Sequence, residues 1–317
     1  MFHTLRELIV DFAARLLARA LPPRVMLAKR HFLLWERRGY HVTPLSFYEP
    51  IPDTRTLKDS LWDDRAELVG VDLNEAGQRE LLAEFRKRYK SEWDELPLDA
   101  SGGLPHEYFV NNGYLESVDG EMLYAMVRHR RPRRIIEVGS GYSTFLAAQA
   151  IRVNAAEESS YTCDLIAVEP FPNPVLRRGF PGLTRLIQAP VQDVPLTEFS
   201  QLGANDILFI DSSHVLKIGS DVQYEILSIF PRLAEGVLVH LHDIFLPGEY
   251  PKHWVLDEHR FWNEQYVLHA FLCFNQRFQV VWAGSFMHMK HPELLEAAFR
   301  SYHRASRWPG SFWMRRV

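Results

Sequence analysis

The stretch RIIEVGSGYST, residues 134–144, decides the fold of this 317-residue chain. An apolar pair leads into a short strand, and Gly139 and Gly141 follow it before a helix that begins near Ser143. Glycines at such a turn let the backbone approach a ligand closely at the carboxyl end of a parallel sheet. We therefore expect the binding site of the protein at this loop.

The residues around the two glycines narrow the class of ligand. A dinucleotide-binding loop needs a third glycine where this loop has Thr144, and the Lys-Ser/Thr pair of a nucleoside triphosphate loop is missing. Glu137, just before the glycines, would repel a pyrophosphate and attract a cation. Glu169 ends the next predicted strand, where a carboxylate can accept both hydroxyls of a ribose. This combination favours an adenosine cofactor with a cationic centre and an amino group.

From about residue 107 onward, short runs rich in Val and Ile alternate with helical stretches. The pattern predicts a doubly wound α/β domain over residues 107–317, with a mostly parallel sheet and helices on both faces. Residues 1–106 are predicted as a helical and extended N-terminal region that acts as a lid or oligomer element. We predict strands at residues 134–139, 165–170, 183–189, 206–211, 236–243 and 278–284.

Composition sets limits on the class of protein. The chain has 47% hydrophobic residues, 24% charged residues and a formal net charge of -4, which describes a soluble globular protein and argues against a nucleic-acid partner. Both ends are basic: residues 1–38 carry eight Lys/Arg against three acids, and residues 300–317 carry five Arg and no acid. We interpret these ends as solvated basic tails.

The first helical segment, LRELIVDFAARLLARAL at residues 5–21, has one apolar stripe at helical spacing. We expect it to pack on the main domain or on a second subunit, which would make a homo-oligomer. Peripheral contact with a membrane surface is the alternative. Transmembrane and signal segments are not expected, and two distant cysteines predict neither a disulfide nor a zinc site, so a cytoplasmic location is expected.

Several motifs together resemble a known family. EVGSGYST, AVEP, VQDV at residues 191–194 and FIDSSH at residues 209–214 resemble the successive motifs of class I S-adenosylmethionine-dependent methyltransferases. GYHVTPLSFYEPIPD, VNNGYLESVDGEMLY and HLHDIFLPGEYP are similar to a bacterial group called methyltransferase 24. The resemblance covers about residues 107–290 and implies a seven-stranded Rossmann-like sheet with S-adenosylmethionine as cofactor.

The family pattern also implies which residues bind the cofactor. The glycine loop would face the methionine part, Glu137 would lie near its amino end, and Glu169 would hold the ribose. The turn at residues 191–193 would border the adenine. The implied cofactor-binding residues are Glu137, Gly139, Ser140, Gly141, Ser143, Glu169, Val191, Gln192, Asp193 and Asp211.

A second resemblance concerns the chemistry. Catechol-type O-methyltransferases have an Asp that ends the fourth strand, a general-base Lys three residues later and an Asp-Asn pair that ends the fifth strand. The corresponding residues here are Asp211, His214 and the pair His242-Asp243. This implies His214 as base and Asp211 and Asp243 as catalytic partners, with a possible divalent metal on Asp211, His242 and Asp243. An imidazole ligand would shift the preference from magnesium toward manganese, iron or zinc.

The resemblance implies an enzyme that methylates a hydroxyl group of a small-molecule or carbohydrate acceptor. Trp254, Arg260, Trp262 and Asn263 follow the fifth strand, where a substrate lid would lie, and could recognise a sugar or a phosphate-bearing acceptor. Two alternatives remain open at this stage. One is a non-catalytic cofactor-binding scaffold of a biosynthetic complex. The other is a metal-dependent hydrolase or oxygenase that uses Asp211, His242 and Asp243.

Overall fold

The computed structural model describes residues 2–63 and 65–317, with side chains from residue 7 onward. Its contacts divide the chain after Lys58 into two compact units. Among the helices of the described residues, none is both long and apolar enough to cross a membrane.

The first unit is helical. Its apolar stripe lies on the first helix, where Leu8, Phe12 and Leu16 are each more than half exposed. The side chain of Leu5, which belongs to the predicted stripe, lies outside the described residues. Packing of this helix on another surface, in a homo-oligomer or at a membrane, therefore stays a prediction. The helices are α1 (Phe2–Ala20), α2 (Pro23–Met26) and α3 (Phe32–Glu36).

The second unit contains a seven-stranded sheet in the order β3-β2-β1-β4-β5-β7-β6. β1 to β5 run parallel to one another, whereas β7 runs antiparallel to both β5 and β6. This confirms the predicted doubly wound, mostly parallel α/β fold. The strands are β1 (Arg134–Val138), β2 (Asp164–Val168), β3 (Arg185–Ile187), β4 (Ile207–Ile210), β5 (Leu238–Leu241), β6 (Phe278–Ala283) and β7 (Phe312–Arg316).

The strand order reverses at β1, which pairs with β2 on one side and with β4 on the other. Chain connections leave in opposite directions from such a point, so a crevice opens at the carboxyl ends of β1 and β4. The central strands are buried along their apolar residues because helices lie around the sheet. The topology thus positions the loop after β1 and the loop after β4 beside each other.

Helices surround this sheet, and two of them, α4 (Ser60–Asp63) and α5 (Glu75–Trp93), come from the predicted N-terminal region. α5 packs near the end of α14, where Lys90 and Trp93 donate hydrogen bonds to the Ala298 carbonyl. Residues 59–106 thus share the compact unit of the sheet, while the division of roles at residue 106 stays a prediction. The helices are α4 (Ser60–Asp63), α5 (Glu75–Trp93), α6 (Asp119–Arg130), α7 (Tyr142–Glu157), α8 (Pro174–Arg178), α9 (Leu196–Phe199), α10 (Asp221–Tyr224), α11 (Lys252–Leu256), α12 (Glu264–Leu272), α13 (Gly284–Lys290) and α14 (Pro292–Ala298).

The interpretation of the C-terminus as a solvated basic tail is wrong. Residues 312–316 form β7, which lies between β5 and β6, and Phe312, Trp313 and Met314 are almost fully buried. The basic pair Arg315 and Arg316 ends the strand and is half-buried. Three apolar residues are too short a run to predict a strand, and the neighbouring arginines obscured it.

Candidate active site

The glycine loop is closed on one side and open on the other. Gly139 has φ +77, and a Cβ atom at this position would lie 1.9 Å from the backbone oxygen of Asp211. A side chain cannot fit there without displacing the end of β4. A Cβ atom on Gly141, in contrast, would meet nothing within 4 Å. The loop therefore presses against β4 through Gly139 and leaves space beside Gly141 for a ligand.

Glu137 is buried at the base of this loop without a hydrogen bond. Among the described residues, neither of its carboxyl oxygens has a partner. Burial raises the pKa of Glu137 to about 8, although Ser143 and Thr144 act to lower it. Buried polar groups almost always have a partner, and an ammonium group would supply one. The buried hydroxyl of Ser140 is also unpartnered, so this pocket fits the amino acid end of S-adenosylmethionine.

Glu169 follows β2 and supports the loop. Its Oε2 accepts a hydrogen bond from the Ser140 amide at 3.2 Å, and its Oε1 accepts one from the Phe171 amide at 2.8 Å. Each carboxylate oxygen keeps a further lone pair for a ligand hydroxyl. The turn at Val191–Asp193 follows β3, with Val191 buried and Gln192 and Asp193 exposed.

Three predicted catalytic residues meet at the carboxyl ends of β4 and β5. The Nε2 atom of His214 lies 3.3 Å from Asp211 Oδ1 and 3.6 Å from Asp243 Oδ2. His214 and Asp243 both have positive φ, at 59° and 56°. Such backbone is strained for a residue with a side chain, and strain of this kind is often found at functional sites. The structure therefore holds these two residues in place against a local conformational cost.

His242 borders the same carboxylates from the other side. Its Nδ1 atom lies 3.4 Å from Asp243 Oδ1 and 3.8 Å from Asp211 Oδ1, and its Nε2 atom lies 3.7 Å from Asp119 Oδ2. Asp119 begins α6 and accepts hydrogen bonds from the amides of Gly310 and Ser311. Asp119 thus holds the segment before β7 through these hydrogen bonds, and the same carboxylate also faces His242.

Sequence analysis missed Glu264. Its Oε2 atom lies 2.9 Å from His214 Nδ1, and both side chains are almost fully buried. The carbonyl of His214 also accepts hydrogen bonds from the amides of Asn263 and Glu264, at 3.1 and 3.2 Å. The start of α12 therefore fixes both the ring and the backbone of His214. Fifty residues separate the pair, and no local motif connects them.

Carboxylates around the two histidines of this cluster favour their protonated forms. Burial acts to lower the pKa of His214, but its hydrogen bonds to Asp211 and Glu264 raise it well above the usual range. Burial likewise opposes protonation of His242, yet Asp243 and Asp211 raise its pKa to about 10. Burial acts to raise the pKa of Asp211, but the two histidines lower it to about 2. The cluster is therefore a set of carboxylates with imidazolium partners.

Of the four residues predicted to bind substrate, three line the space beside His214 and one fixes a neighbouring loop. The Trp262 ring lies 4.3 Å from the His214 ring, and the Arg260 guanidinium lies 4.7 Å from the Trp254 ring and 5.1 Å from Trp262. These three side chains form an aromatic and cationic wall beside His214. The side-chain oxygen of Asn263 instead accepts a hydrogen bond from the Leu216 amide at 2.6 Å, which fixes the loop after His214.

Comparison with known proteins gives a family. Residues 136–244, from β1 to the end of β5, match the methyltransferase 24 family, described as a methyltransferase domain. The chain is also 34% identical over 171 residues to an uncharacterized protein of Archaeoglobus fulgidus, covering 52% of this chain and 75% of that protein. Residues 136–244 contain the glycine loop together with Asp211, His214 and Asp243.

Solved structures with a similar fold include CalS11, a TDP-rhamnose 3'-O-methyltransferase of calicheamicin biosynthesis. That match has 12% identity, a TM-score of 0.40, and covers 74% of this chain and 93% of CalS11. A putative protein-L-isoaspartate O-methyltransferase of Plasmodium falciparum, solved with S-adenosyl-L-homocysteine, has 17% identity, a TM-score of 0.29, and coverage of 52% and 83%. Similarity at this level says nothing about the acceptor of this chain.

The family match and the fold agree with the predicted enzyme class and with its cofactor. Residue roles within the site, including those in catalysis and metal binding, remain predictions. The chain belongs to the methyltransferase 24 family and is a class I S-adenosylmethionine-dependent methyltransferase.

Proposed function

We propose that this enzyme methylates a hydroxyl group of a small-molecule or carbohydrate acceptor. The observation that supports this most directly is the His214 cluster: an imidazole nitrogen between two carboxylates, beside the glycine loop, with Glu264 behind the ring. When bound, S-adenosylmethionine supplies an electrophilic methyl group on its sulfonium sulfur. A hydroxyl acceptor must lose a proton during the transfer, and the cluster offers a base for that proton.

In the proposed arrangement, His214 takes the hydroxyl proton on Nε2 while its ring is neutral, because the positive charge of the bound cofactor would oppose the protonated form of the ring. Glu264 holds Nδ1, which fixes the tautomer and the ring plane, as carboxylates do for other functional histidines. Asp211 and Asp243 lie on either side of Nε2 and orient the acceptor. Because the methyl donor needs no activation, most of the rate would come from holding the two reactants in line.

The glycine loop and its neighbours would hold the cofactor. Glu137 would bind its amino group, Gly141 would leave space for its chain, and Glu169 would bind the ribose. Val191, Gln192 and Asp193 would border the adenine, and Asp211 would face the reacting end. The unpartnered carboxyl of Glu137 is the observation of this structure that supports the assignment.

A divalent metal is part of the proposal, held by Asp211, Asp243 and His242. One ligand atom from each of Asp211, His214 and Asp243 lies within 4.8 Å of the others, so His214 is a second candidate ligand. However, Nε2 of His214 cannot bind a metal and accept a proton at the same time. If His214 is the base, the imidazole ligand is His242, whose Nδ1 atom faces both carboxylates. A metal that binds there would displace the proton of this nitrogen.

Calorimetry with S-adenosylhomocysteine and a labelled-methyl assay test this function. We expect the purified protein to bind S-adenosylhomocysteine and to methylate hydroxyl acceptors better than matched amines. Activity should fall in EDTA and return with a divalent cation, and His242→Ala should weaken metal binding more than His214→Ala. Methylation of amines alone would contradict the proposed acceptor, and full activity in EDTA would contradict the metal.

A further inference from the structure

A cavity of about 530 Å³ opens between the loop after β5 and the loop that leads into β7. Trp62, Asp63, Arg65 and Met289 complete its walls. Both loops leave the sheet at the carboxyl end of β5, because Leu241 pairs with Phe312. The cavity therefore lies at the same edge of the sheet as Asp211 and Asp243.

The two loops are joined next to Asp243. The Ile244 amide donates a hydrogen bond to the Gly310 carbonyl at 2.9 Å, and a Cβ atom on Gly310 would lie 3.1 Å from the Cα atom of Asp243. Two residues that line the cavity are close to these atoms in sequence: Phe245 directly follows Ile244, and Trp308 precedes Gly310 by two positions. A ligand in the cavity would consequently lie close to the catalytic carboxylate.

Aromatic side chains in fixed orientations form the walls. The indole nitrogen of Trp62 donates to the Tyr250 carbonyl at 2.9 Å, and that of Trp308 donates to the Ser285 hydroxyl at 2.9 Å. Trp308 is nevertheless 49% exposed. An indole whose polar atom is already bonded and whose ring is half exposed is a ready surface for stacking against a ring of a ligand.

Cations surround these rings. Three of them are held by carboxylates that do not line the cavity: Lys252 by Asp59, Arg304 by Glu296 and Arg307 by Glu116. Arg65 is different, because among the described residues it forms no hydrogen bond and no ion pair. The acids of the lining are Asp63 and Glu249, and Glu249 already accepts a hydrogen bond from Tyr266. Arg65 is thus the cation that is available to a ligand.

Two arginines of the lining act on a histidine beside the cavity. His288 packs against Trp308 with ring centroids 4.5 Å apart. Burial, together with the charges of Arg304 and Arg65, lowers the pKa of His288 to about 4. The two arginines therefore act on the same region from within the cavity lining, and a negative group placed there would be attracted.

We propose that this cavity binds a ring-bearing acceptor that carries an anionic group, either a phosphate ester or a carboxylate. The ring stacks on the exposed indole of Trp308, Arg65 binds the anion, and Arg304, which is paired with Glu296, adds its charge to the attraction. The cavity volume suits a small molecule. This inference deepens the proposed function, on which it rests, by naming the chemical class of the acceptor.

Ligand-observed NMR titrations test the inference with phenyl phosphate and benzoate as anionic probes and benzyl alcohol as the neutral probe. At least one anionic probe should bind more tightly than benzyl alcohol. Arg65→Gln should weaken that binding by about fivefold, as expected for one charge at an accessible site. Arg304→Gln should have a smaller effect in the same direction, because Glu296 already pairs with Arg304. Arg86→Gln, an exposed arginine on α5 outside the cavity, is the matched control and should bind as the wild type does.

Equal binding of neutral and anionic probes would overturn the inference, as would unchanged affinity in both cavity variants. Arg65 forms no side-chain bonds among the described residues, so its replacement should leave the fold intact. Calorimetry with S-adenosylhomocysteine separates the two proposals, because it reports only on the cofactor site. If S-adenosylhomocysteine binds and the anionic probes do not, the proposed function stands and the anionic acceptor is rejected.

Discussion

The two halves of the candidate site satisfy their polar groups in opposite ways. In the cofactor half, Glu137 is buried and forms no hydrogen bond with any residue that the structure describes, and Gly141 faces open space. In the catalytic half, both ring nitrogens of His214 lie beside carboxylates, at 2.9 and 3.3 Å. Unpaired polar groups in the cofactor half fit a ligand that supplies the missing hydrogen bonds. The catalytic half keeps its geometry without a ligand because its polar groups pair with one another. Ligand binding should therefore change the cofactor half more than the catalytic half.

The two glycines provide the largest expected effect and the sharpest test of the contrast. Gly139→Ala should lower the free energy of unfolding by about 3 kcal/mol or more, because the new Cβ would collide with the Asp211 carbonyl in strained backbone. Gly141→Ala has free space and should keep a wild-type melting temperature, yet lose affinity for S-adenosylhomocysteine. Thermal denaturation and calorimetry measure the two effects. If both variants lose the same amount of stability, Gly141 is needed for the fold, and the space beside it gives no support for a ligand site.

The catalytic half should respond in rate and leave cofactor affinity unchanged. His214→Ala should reduce methyl transfer by about 100-fold. Glu264→Gln keeps a hydrogen-bond acceptor for His214 and should cost about tenfold, and neither change should alter S-adenosylhomocysteine affinity. Single-turnover rates and calorimetry measure these quantities.

His269→Ala, on the same helix as Glu264, is the matched control and should keep the wild-type rate. If the His214 variant loses affinity for S-adenosylhomocysteine as well as activity, the claim that His214 acts only in catalysis is contradicted. A Glu264 variant with the wild-type rate would show that the ring of His214 needs no support from α12.

The cofactor half should also show a dependence of stability on pH. Burial raises the pKa of Glu137 from 4.5 to about 8, so the folded state holds a proton that the unfolded state loses. The stability from this group is complete below pH 4.5 and is lost as the pH rises through about 8. Glu137→Gln should reduce this fall, on the order of 3 kcal/mol between pH 5 and pH 8, in chemical denaturation.

Bound S-adenosylhomocysteine should also change this pH dependence in the wild type, because an ammonium beside Glu137 favours its ionised form. Glu80→Gln, at an exposed position of α5, is the control and should keep the wild-type slope. A slope that persists in Glu137→Gln would assign the protonation to another buried carboxyl, such as Glu121, whose pKa burial raises to about 7.

The sequence alone determined the features that depend on local pattern. The glycine loop, the strands before it and after it, and the acidic residues at their carboxyl ends could be predicted because strand, turn and helix follow from neighbouring residues. Strand ends of a parallel sheet meet at one edge, so Asp211, His214 and Asp243 were predicted as a cluster.

Only the tertiary structure decided which groups support that cluster. Glu264 reaches His214 from fifty residues away, and Asp119 reaches His242 from the start of α6. β7 enters the sheet although its sequence is short and ends in two arginines. Hydrogen bonds and strand pairs between distant segments depend on how the helices and strands pack. Local sequence patterns carry no information about which distant segments meet. The partners of a catalytic side chain are therefore visible only once the chain has folded around it.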